Sequence, residues 1–189
     1  MTEHEKMQKG LLYLAFDDSL LADRQSAKEL LFDFNSLRPS QKQERNALLQ
    51  KLFGRAGNDI WVESPFQCDY GYNIHVGNNF YANHNCIILD GAKVTIGDNV
   101  LLGPNVGLYT AGHPLDVEQR IKGYEYAYPI TIGNNVWIGA GVSILPGVTV
   151  GDNSVIGAGS VVTKDLAANV VAVGNPCKAI REIPKPRIP

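Results

Sequence analysis

The strongest constraint on the fold is an aliphatic residue that returns at every sixth position in the second half of the chain. An amphipathic helix repeats apolar residues at intervals of three and four, and a half-buried strand alternates them, so neither pattern fits. The period instead predicts a solenoid of hexapeptide repeats, in which short strands and tight turns bury their apolar side chains between successive coils. The repeated positions are Ile132, Ile138, Ile144, Val150, Ile156 and Val162.

Residues that favour tight turns occupy matching points of these repeats. Glycine permits a positive φ angle, and asparagine and aspartate tolerate the left-handed region and cap their own backbone. We therefore interpret the paired Asn and Asp residues as turn residues rather than as metal ligands or catalytic groups. The pairs are Asn78-Asn79, Asp98-Asn99, Asn134-Asn135 and Asp152-Asn153.

A helical cap is predicted before the solenoid, over residues 1–58. A capping box at Thr2 begins a first helix, Asp18 or Ser19 caps a second, and Ser40 with Gln43 forms a capping box for a third. The β-helix is predicted over residues 59–181. Residues 182–189 are rich in proline and basic side chains, and are predicted to form an extended tail.

The repeat is irregular in two places. Its phase slips by two residues between Ile88 and Ile96, which predicts a bulge. Residues 109–129 then interrupt it, and the repeat resumes in phase at Ile132. An insertion that preserves the phase is most simply a loop extruded from one corner of the helix, and long loops on rigid scaffolds often carry function.

Composition argues against several classes of partner. The chain has 17 basic and 19 acidic residues without a long run of either sign, which predicts no nucleic acid or anionic membrane as a partner. It contains no apolar stretch near the ~20 residues that span a bilayer, and residues 1–10 are polar and charged, so a cytoplasmic location is expected. The cysteines are widely and irregularly spaced, which predicts buried free thiols rather than disulfides or a zinc site. They are Cys68, Cys86 and Cys177.

Among the four histidines, His113 is the best candidate for catalysis. It lies in the sequence Thr-Ala-Gly-His-Pro, residues 110–114, at the root of the extruded loop. Because an imidazole titrates near neutral pH, it can act as a general base toward a hydroxyl group. The alternative is a half-exposed turn residue, and position alone does not separate the two.

Four longer motifs carry a resemblance to a known family. They are Asn-Phe-Tyr-Ala-Asn-His-Asn at 79–85, Thr-Ala-Gly-His-Pro at 110–114, Pro-Ile-Thr-Ile-Gly-Asn-Asn-Val-Trp-Ile-Gly at 129–139 and Gly-Asn-Pro-Cys-Lys at 174–178. The chain resembles the maltose and galactoside O-acetyltransferases of the hexapeptide-repeat acyltransferase superfamily. This resemblance implies an all-β solenoid, namely a left-handed parallel β-helix with a small N-terminal helical cap. It also implies a homotrimer with acetyl-CoA in the groove between neighbouring helices. The left-handed direction follows from the resemblance alone, since crossover connections are in general right-handed.

The resemblance further implies direct transfer of an acetyl group, with named residues at each role. His113 matches the general base, and Asn83 matches an amide near the acceptor and the acetyl group. The backbone N–H of Ala140 matches a donor to the developing oxyanion, a contribution that reaches ~3–4 kcal/mol in other enzymes. Acceptor-binding positions are matched by Asp69, Tyr81 and Asn83, and Asp69 is the residue found in the maltose-type enzymes.

The positions that match acetyl-CoA contacts lie mainly in the second half of the chain. Lys178 replaces an arginine that is common in the family. A lysine cannot bind a phosphate group through two parallel N–H donors as an arginine does. Alternatively, Trp137 is an exposed residue on one face of the helix, and Thr163-Lys164 is the end of the last coil. No metal is implied. The matched cofactor-binding positions are Trp137, Ala140, Ala158, Thr163, Lys164, Lys178 and Arg181.

These observations bear on three possible functions. The first is an acetyl-CoA-dependent O-acetyltransferase that acts on a small-molecule sugar acceptor. The second is a γ-type carbonic anhydrase, which binds zinc through three histidines on the same kind of helix, but His75, His84 and His113 lack the H-x4-H pair that this site needs. The third is a non-catalytic scaffold, which would not require Asn83, His113 and the loop together. The sequence does not identify the acceptor sugar.

Overall fold

A computed structural model describes residues 1–184 and shows three β-sheets wound around one apolar shaft. The chain passes from the first face to the second and then to the third before it returns to the first. Strands that follow each other on one face belong to successive coils and pair in parallel. This arrangement confirms the predicted solenoid of hexapeptide repeats.

Each face is a ladder of short strands. The first face contains β2 (Arg55–Ala56), β5 (Ile74–Val76), β8 (Val94–Ile96), β13 (Ile130–Ile132) and β16 (Thr149–Val150). The second face contains β3 (Trp61–Val62), β6 (Tyr81–Ala82), β9 (Leu101–Leu102), β14 (Trp137–Ile138), β17 (Val155–Ile156), β19 (Val170–Val173) and β20 (Lys178–Glu182). The third face contains β4 (Phe66–Cys68), β7 (Cys86–Leu89), β10 (Gly107–Tyr109), β15 (Ser143–Ile144) and β18 (Val161–Val162).

The aliphatic residues of the sixfold repeat form the shaft. Along the second face, for example, Leu102, Ile138 and Ile156 stand in register on three neighbouring strands. None of the six repeat positions from Ile132 to Val162 is more than 1% exposed. Burial of each such side chain contributes about 1.5–3 kcal/mol, so the repeat is the main apolar core of the chain.

The corner between the first and second faces confirms the predicted turn chemistry. Asn79, Asn99, Asn135, Asn153 and Asn169 all adopt φ angles between 55° and 60°. Their side-chain amides form a ladder in which each Nδ2 donates to the Oδ1 of the next coil at 2.9–3.0 Å. The ladder thus links successive coils through side chains, in addition to the backbone bonds that the same asparagines donate.

The N-terminal cap consists of α1 (Glu3–Gln8), α2 (Asp18–Ser36) and α3 (Lys42–Leu52). The capping box at Thr2 is present, as predicted. The two other predicted caps are wrong. Asp17 caps α2 because its side chain accepts from the Ser19 N–H at 3.0 Å, which leaves Asp18 inside the first turn. Gln41, rather than Ser40, occupies the N-cap of α3, and its side chain accepts from the Arg38 N–H instead.

The insertion at residues 109–129 forms an antiparallel hairpin outside the shaft. Its strands are β11 (Ala111–Gly112) and β12 (Tyr124–Ala127), and the short helix α4 (Val117–Ile121) lies between them. Strand β1 (Tyr13–Leu14) of the cap pairs with the other edge of β12. The hairpin is therefore held between the shaft and the cap.

The corner between the third and first faces contains the predicted bulge. Ile88 and Ile96 are eight positions apart, whereas their partners two coils later, Ile144 and Val150, are six apart. The two additional residues lie between β7 and β8. The hairpin leaves the shaft from this same corner one coil later.

The two ends of the solenoid differ from its middle coils. Strand β2 begins at Arg55, directly after α3, and pairs with β5. Strand β20 turns back and pairs antiparallel with β19. Residues 185–189 of the predicted tail lie outside the described residues. Among residues 1–184, no helix is long and apolar enough to cross a membrane.

Candidate active site

The predicted site residues lie at two different corners of the β-helix. Asp69 and the hairpin that carries His113 lie at the third–first corner, whereas Asn83 and Ala140 lie at the second–third corner. The strands of the third face separate these corners. Five extended residues between them span roughly 16 Å. One chain alone therefore does not bring His113 and Asn83 together.

His113 follows β11 and projects from the hairpin. Its side chain is 55% exposed in the single chain. The ring Nδ1 lies 3.3 Å from the backbone oxygen of Tyr124, and Nε2 lies 3.9 Å from Oε1 of Glu125. Because a carbonyl oxygen only accepts, this contact favours a proton on Nδ1 and leaves the Nε2 lone pair free to accept one.

Glu125 is held beside His113 by a residue of the cap. The buried hydroxyl of Tyr13 donates to Oε2 of Glu125 at 2.9 Å. Burial is the main cause that raises the pKa of this phenol, with the Glu125 charge adding to it, so Tyr13 remains a donor. Neither Glu125 nor Tyr13 is among the site residues predicted from the sequence. Pairing residues 124–127 with 111–112 as a hairpin would have placed Glu125 opposite His113, because Gly112 pairs with Tyr126.

A cavity of about 190 Å³ adjoins this pair. Arg24 stands in its wall and donates to the hydroxyl of Tyr70 at 2.6 Å and to the backbone oxygen of Ala15 at 2.5 Å. Burial raises the pKa of the Asp69 carboxyl, while the nearby Arg24 charge opposes that shift. The cavity therefore presents hydrogen-bond acceptors close to a candidate base. It is lined by Tyr13, Ala15, Phe16, Arg24, Asp69, Tyr70 and Glu125.

A larger cavity, of about 550 Å³, lies between α2 and α3. It contains none of the predicted site residues and no histidine. The smaller cavity is therefore the better candidate for the acceptor, because Asp69 lies in its wall and Glu125 connects it to His113.

The outer surface of the second face carries a row that runs across several coils. Five steps between neighbouring strands, at about 4.8 Å each, make the row roughly 24 Å long. Trp137 is 56% exposed in it, and Arg181 ends it on β20, where Lys178 is also exposed. An extended ligand with an anionic end would suit this row. Its members in register are Tyr81, Leu101, Trp137, Val155, Val171 and Arg181.

The second–third corner runs alongside this row, because β6, β9, β14 and β17 all end there. A Cβ on Gly103 would lie 2.7 Å from the backbone nitrogen of Ala140, so glycine is required for the close stacking of these coils. Within residues 1–184, the Ala140 N–H donates no hydrogen bond to the protein. Asn83 lies one coil before Gly103, and its own N–H donates to Leu102. The corner thus presents a side-chain amide and a backbone donor. Ala158 follows one coil after Ala140 at the same corner and is exposed.

The remaining candidates occupy other surroundings. Thr163 and Lys164 are exposed after β18, at the third–first corner and away from the Trp137 row of the same chain. Cys86 is buried beside Asn83, and burial raises the pKa of its thiol to about 11. Cys68 and Cys177 are also buried free thiols, as predicted for all three cysteines.

The histidines of one chain do not converge. His75 lies on the first face, and His84 projects from the second–third corner with Nδ1 2.7 Å from the backbone oxygen of Ser64. His113 is on the hairpin. In the part of the chain that the structure describes, no three His, Cys, Asp or Glu side chains are grouped to hold a metal ion.

Comparison with known proteins agrees with this architecture. Residues 6–57 match the maltose acetyltransferase hexapeptide capping motif, and residues 129–164 match the bacterial transferase hexapeptide of six repeats. A hexapeptide repeat of succinyl-transferase matches residues 93–115. These matches, with the parallel coils, define a hexapeptide-repeat transferase.

Three relatives narrow this class. Galactoside O-acetyltransferase of Escherichia coli K12 is 52% identical over 95% of this chain and 88% of its own length. A maltose O-acetyltransferase from Clostridium difficile 630 superposes with a TM-score of 0.97 at 55% identity, covering 98% of this chain and 99% of that one. A galactoside acetyltransferase solved in complex with coenzyme A gives a TM-score of 0.95 at 52% identity, over 97% and 92% of the two chains.

The chain belongs to the maltose and galactoside O-acetyltransferase family. It is therefore an enzyme of the acetyltransferase type. The predicted fold class, a left-handed parallel β-helix with a small helical cap, and the resemblance on which it depended are confirmed.

Proposed function

We propose that this protein transfers an acetyl group directly from acetyl-CoA to a hydroxyl of a small sugar, with His113 as the general base. The observation that carries the proposal is the position of His113 beside Glu125, whose side chain lines a cavity together with Asp69. The acetyl donor is supported by the relative in complex with coenzyme A and by the long exposed row that ends at Arg181. Carboxylates are good acceptors for sugar hydroxyls.

In the proposed transfer, each proton and each bond that changes is assigned to a residue or a substrate atom. The acceptor oxygen attacks the thioester carbonyl carbon while Nε2 of His113 takes the hydroxyl proton. The Ala140 N–H donates to the oxyanion that forms, and Asn83 holds the reacting groups in place. When the oxyanion collapses, the C–S bond breaks and His113 returns its proton to the leaving sulfur. No acyl-enzyme is formed, so no side-chain nucleophile is needed.

The two separated corners support an active site between subunits. In this arrangement, one protomer contributes His113 and the acceptor cavity, and its neighbour contributes Asn83 and Ala140. A homotrimer closes this head-to-tail contact with three equivalent sites. It would also cover the exposed indole of Trp137, for which a place beside the cofactor is proposed. Thr163 and Lys164 would then meet the cofactor from a different chain than the Trp137 row.

The phosphate end of acetyl-CoA is assigned to Lys178 and Arg181. Both lie on the exposed strand β20, at the far end of the row from Tyr81. The remaining assignments keep Ala158 beside the cofactor and Tyr81 beside the acceptor. A cytoplasmic location stays a prediction, and the acceptor stays open among maltose, glucose and galactosides.

The test is release of CoA thiol from acetyl-CoA with a panel of neutral sugars, with the product identified by mass spectrometry. His113→Ala should lower turnover by about 10²–10⁴-fold with acetyl-CoA binding retained. His75→Ala is the matched control, because His75 lies on the first face and should keep turnover near wild type. Unchanged turnover in His113→Ala would exclude this residue as the base. Absence of coenzyme A binding by calorimetry would favour a non-catalytic scaffold.

A further inference from the structure

The corner at Asp69–Asn73 accepts backbone hydrogen bonds at Gly71 and Asn73, whereas the N–H groups of Asp69 and Tyr70 bond to a side chain. It lies between β4 and β5, and it is one of the corners lengthened by two residues relative to later coils. Asp69 and Tyr70 nevertheless form part of the wall of the acceptor cavity. Their position must therefore come from contacts outside the ladder.

Asp90, in the next coil, supplies these contacts at both ends of the corner. Its Oδ1 accepts from the backbone N–H groups of Asp69 at 3.0 Å and Tyr70 at 2.8 Å. Its backbone oxygen accepts from the side-chain amide of Asn73 at 2.7 Å. The Asn73 amide is held in turn by Gln8, whose Nε2 donates to it at 3.0 Å.

The surroundings of Asp90 make these bonds strong. The residue is fully buried, so water does not compete for its carboxyl group. Within residues 1–184, Oδ2 is a buried side-chain atom without a hydrogen-bond partner. Burial raises the pKa of Asp90 to about 6, and the two backbone N–H groups oppose that shift. At neutral pH the carboxylate therefore makes charge-assisted bonds to the cavity wall.

The same corner is also tied to the base of the hairpin. The Thr110 hydroxyl donates to the backbone oxygen of Leu89 at 2.7 Å and accepts from the Ala92 N–H at 2.9 Å. Thr110 lies three residues before His113. The segment 89–92 thus bonds to the cavity wall on one side and to the root of the hairpin on the other.

We propose that Asp90 is a positioning residue of the acceptor site, which fixes the Asp69–Tyr70 wall relative to the hairpin of His113. The inference rests on the proposed function, because it requires that this cavity binds the acceptor. It assigns Asp90 no contact with either substrate. Its loss should therefore weaken acceptor binding and leave the cofactor row intact.

The test is the steady-state kinetics of Asp90→Ala and Asp90→Asn with acetyl-CoA and whichever neutral sugar the wild type acetylates best. Asp90→Ala should raise the Michaelis constant for the sugar by about tenfold or more and change that for acetyl-CoA less than twofold. Asp90→Asn should restore most of the sugar affinity, because its amide oxygen can accept the same two N–H groups.

Asp98→Ala is the matched control. Asp98 also accepts a backbone N–H from the preceding coil, that of Asn78 at 2.7 Å, but it lies at the corner between the first and second faces. It should leave both Michaelis constants unchanged. Equal increases for sugar and acetyl-CoA in Asp90→Ala, no increase for the sugar, or the same increase in Asp98→Ala would each overturn the proposal.

Two further readouts keep the outcome decisive. If circular dichroism shows that Asp90→Ala does not fold, Asp90→Ser takes its place. We expect Asp90→Ser to raise the Michaelis constant for the sugar by a smaller factor. An unchanged Michaelis constant for the sugar would count against the proposal. Wild-type acetylation of the sugar tests the proposed function separately. A wild type that acetylates sugars while Asp90→Ala keeps normal sugar affinity would reject the positioning role alone.

Discussion

His113 and Glu125 face each other across the hairpin, with Nε2 of the imidazole 3.9 Å from Oε1 of the carboxylate. When His113 takes the proton of the acceptor hydroxyl, the Glu125 carboxylate stabilises the positive charge on the imidazole ring. We expect Glu125→Gln to lower turnover about tenfold, which corresponds to an interaction of about 1.4 kcal/mol. Turnover numbers of the single and double variants measure it. In the His113→Ala background the same change should have no further effect, and an equal loss in both backgrounds would show that Glu125 acts independently of His113.

The separation of His113 from Asn83 predicts complementation between inactive variants. Mixed trimers of His113→Ala and Asn83→Ala, formed by co-expression, should regain about one quarter of wild-type activity, because each site needs two independent choices with a chance of one half. Light scattering should give about three times the chain mass of 20.6 kDa. A mixture of His113→Ala with Asp69→Asn is the control, since both residues come from one chain, and it should show only the mean activity of the two variants measured alone. Recovery in that control, or none in the first mixture, would contradict the shared site.

Lys178 and Arg181 should matter for the cofactor and little for chemistry. Their joint replacement by alanine should raise the Michaelis constant for acetyl-CoA about tenfold, because charge-assisted phosphate contacts are lost. Added salt should weaken wild-type binding in the same direction. The control is the joint change of Arg55 and Lys93, exposed cations near the first face, to alanine. A similar effect in both double variants would indicate only a loss of net positive charge.

Cys86 should not carry an acetyl group during turnover. With its thiol pKa raised to about 11 by burial, the nucleophilic thiolate is scarce at neutral pH. Intact-protein mass spectrometry after mixing with acetyl-CoA alone should show the unmodified chain, and Cys86→Ala should retain more than about half of wild-type turnover. An acetylated Cys86 peptide that disappears when sugar is added would replace direct transfer with a two-step mechanism.

The carboxylates of Asp69 and Glu125 should reject anionic acceptors. Both line the cavity, while the guanidinium of Arg24 is already bonded to Tyr70 and Ala15. We expect glucose 6-phosphate to have a kcat/KM at least about tenfold below that of glucose, because like charges in a confined site repel. Asp69→Asn should bring the kcat/KM of glucose 6-phosphate closer to that of glucose. A phosphorylated sugar that reacts as well as its neutral form would place the acceptor elsewhere.

The repeat made the shaft predictable, because the burial of Ile132 and Ile138 depends on a period that is visible in the chain. The turn at Asn135 was predictable for the same reason. The contact of Tyr13 with Glu125 was not, since 112 residues separate the partners and neither belongs to the repeat. Asp90 likewise stands outside the repeat, and its bonds to Asp69 and Tyr70 become visible only when successive coils are stacked.

The two added residues between Ile88 and Ile96, and the hairpin one coil later, occur at a single edge of the prism, whereas Ile132, Ile138, Ile144 and Val150 keep their strict spacing. Lengthening a coil at that edge reshapes the sugar cavity without shifting any strand of the Trp137 row. An engineer could therefore exchange residues 115–123 of the hairpin to seek new acceptors while His113, Glu125 and the Trp137 row stay as they are.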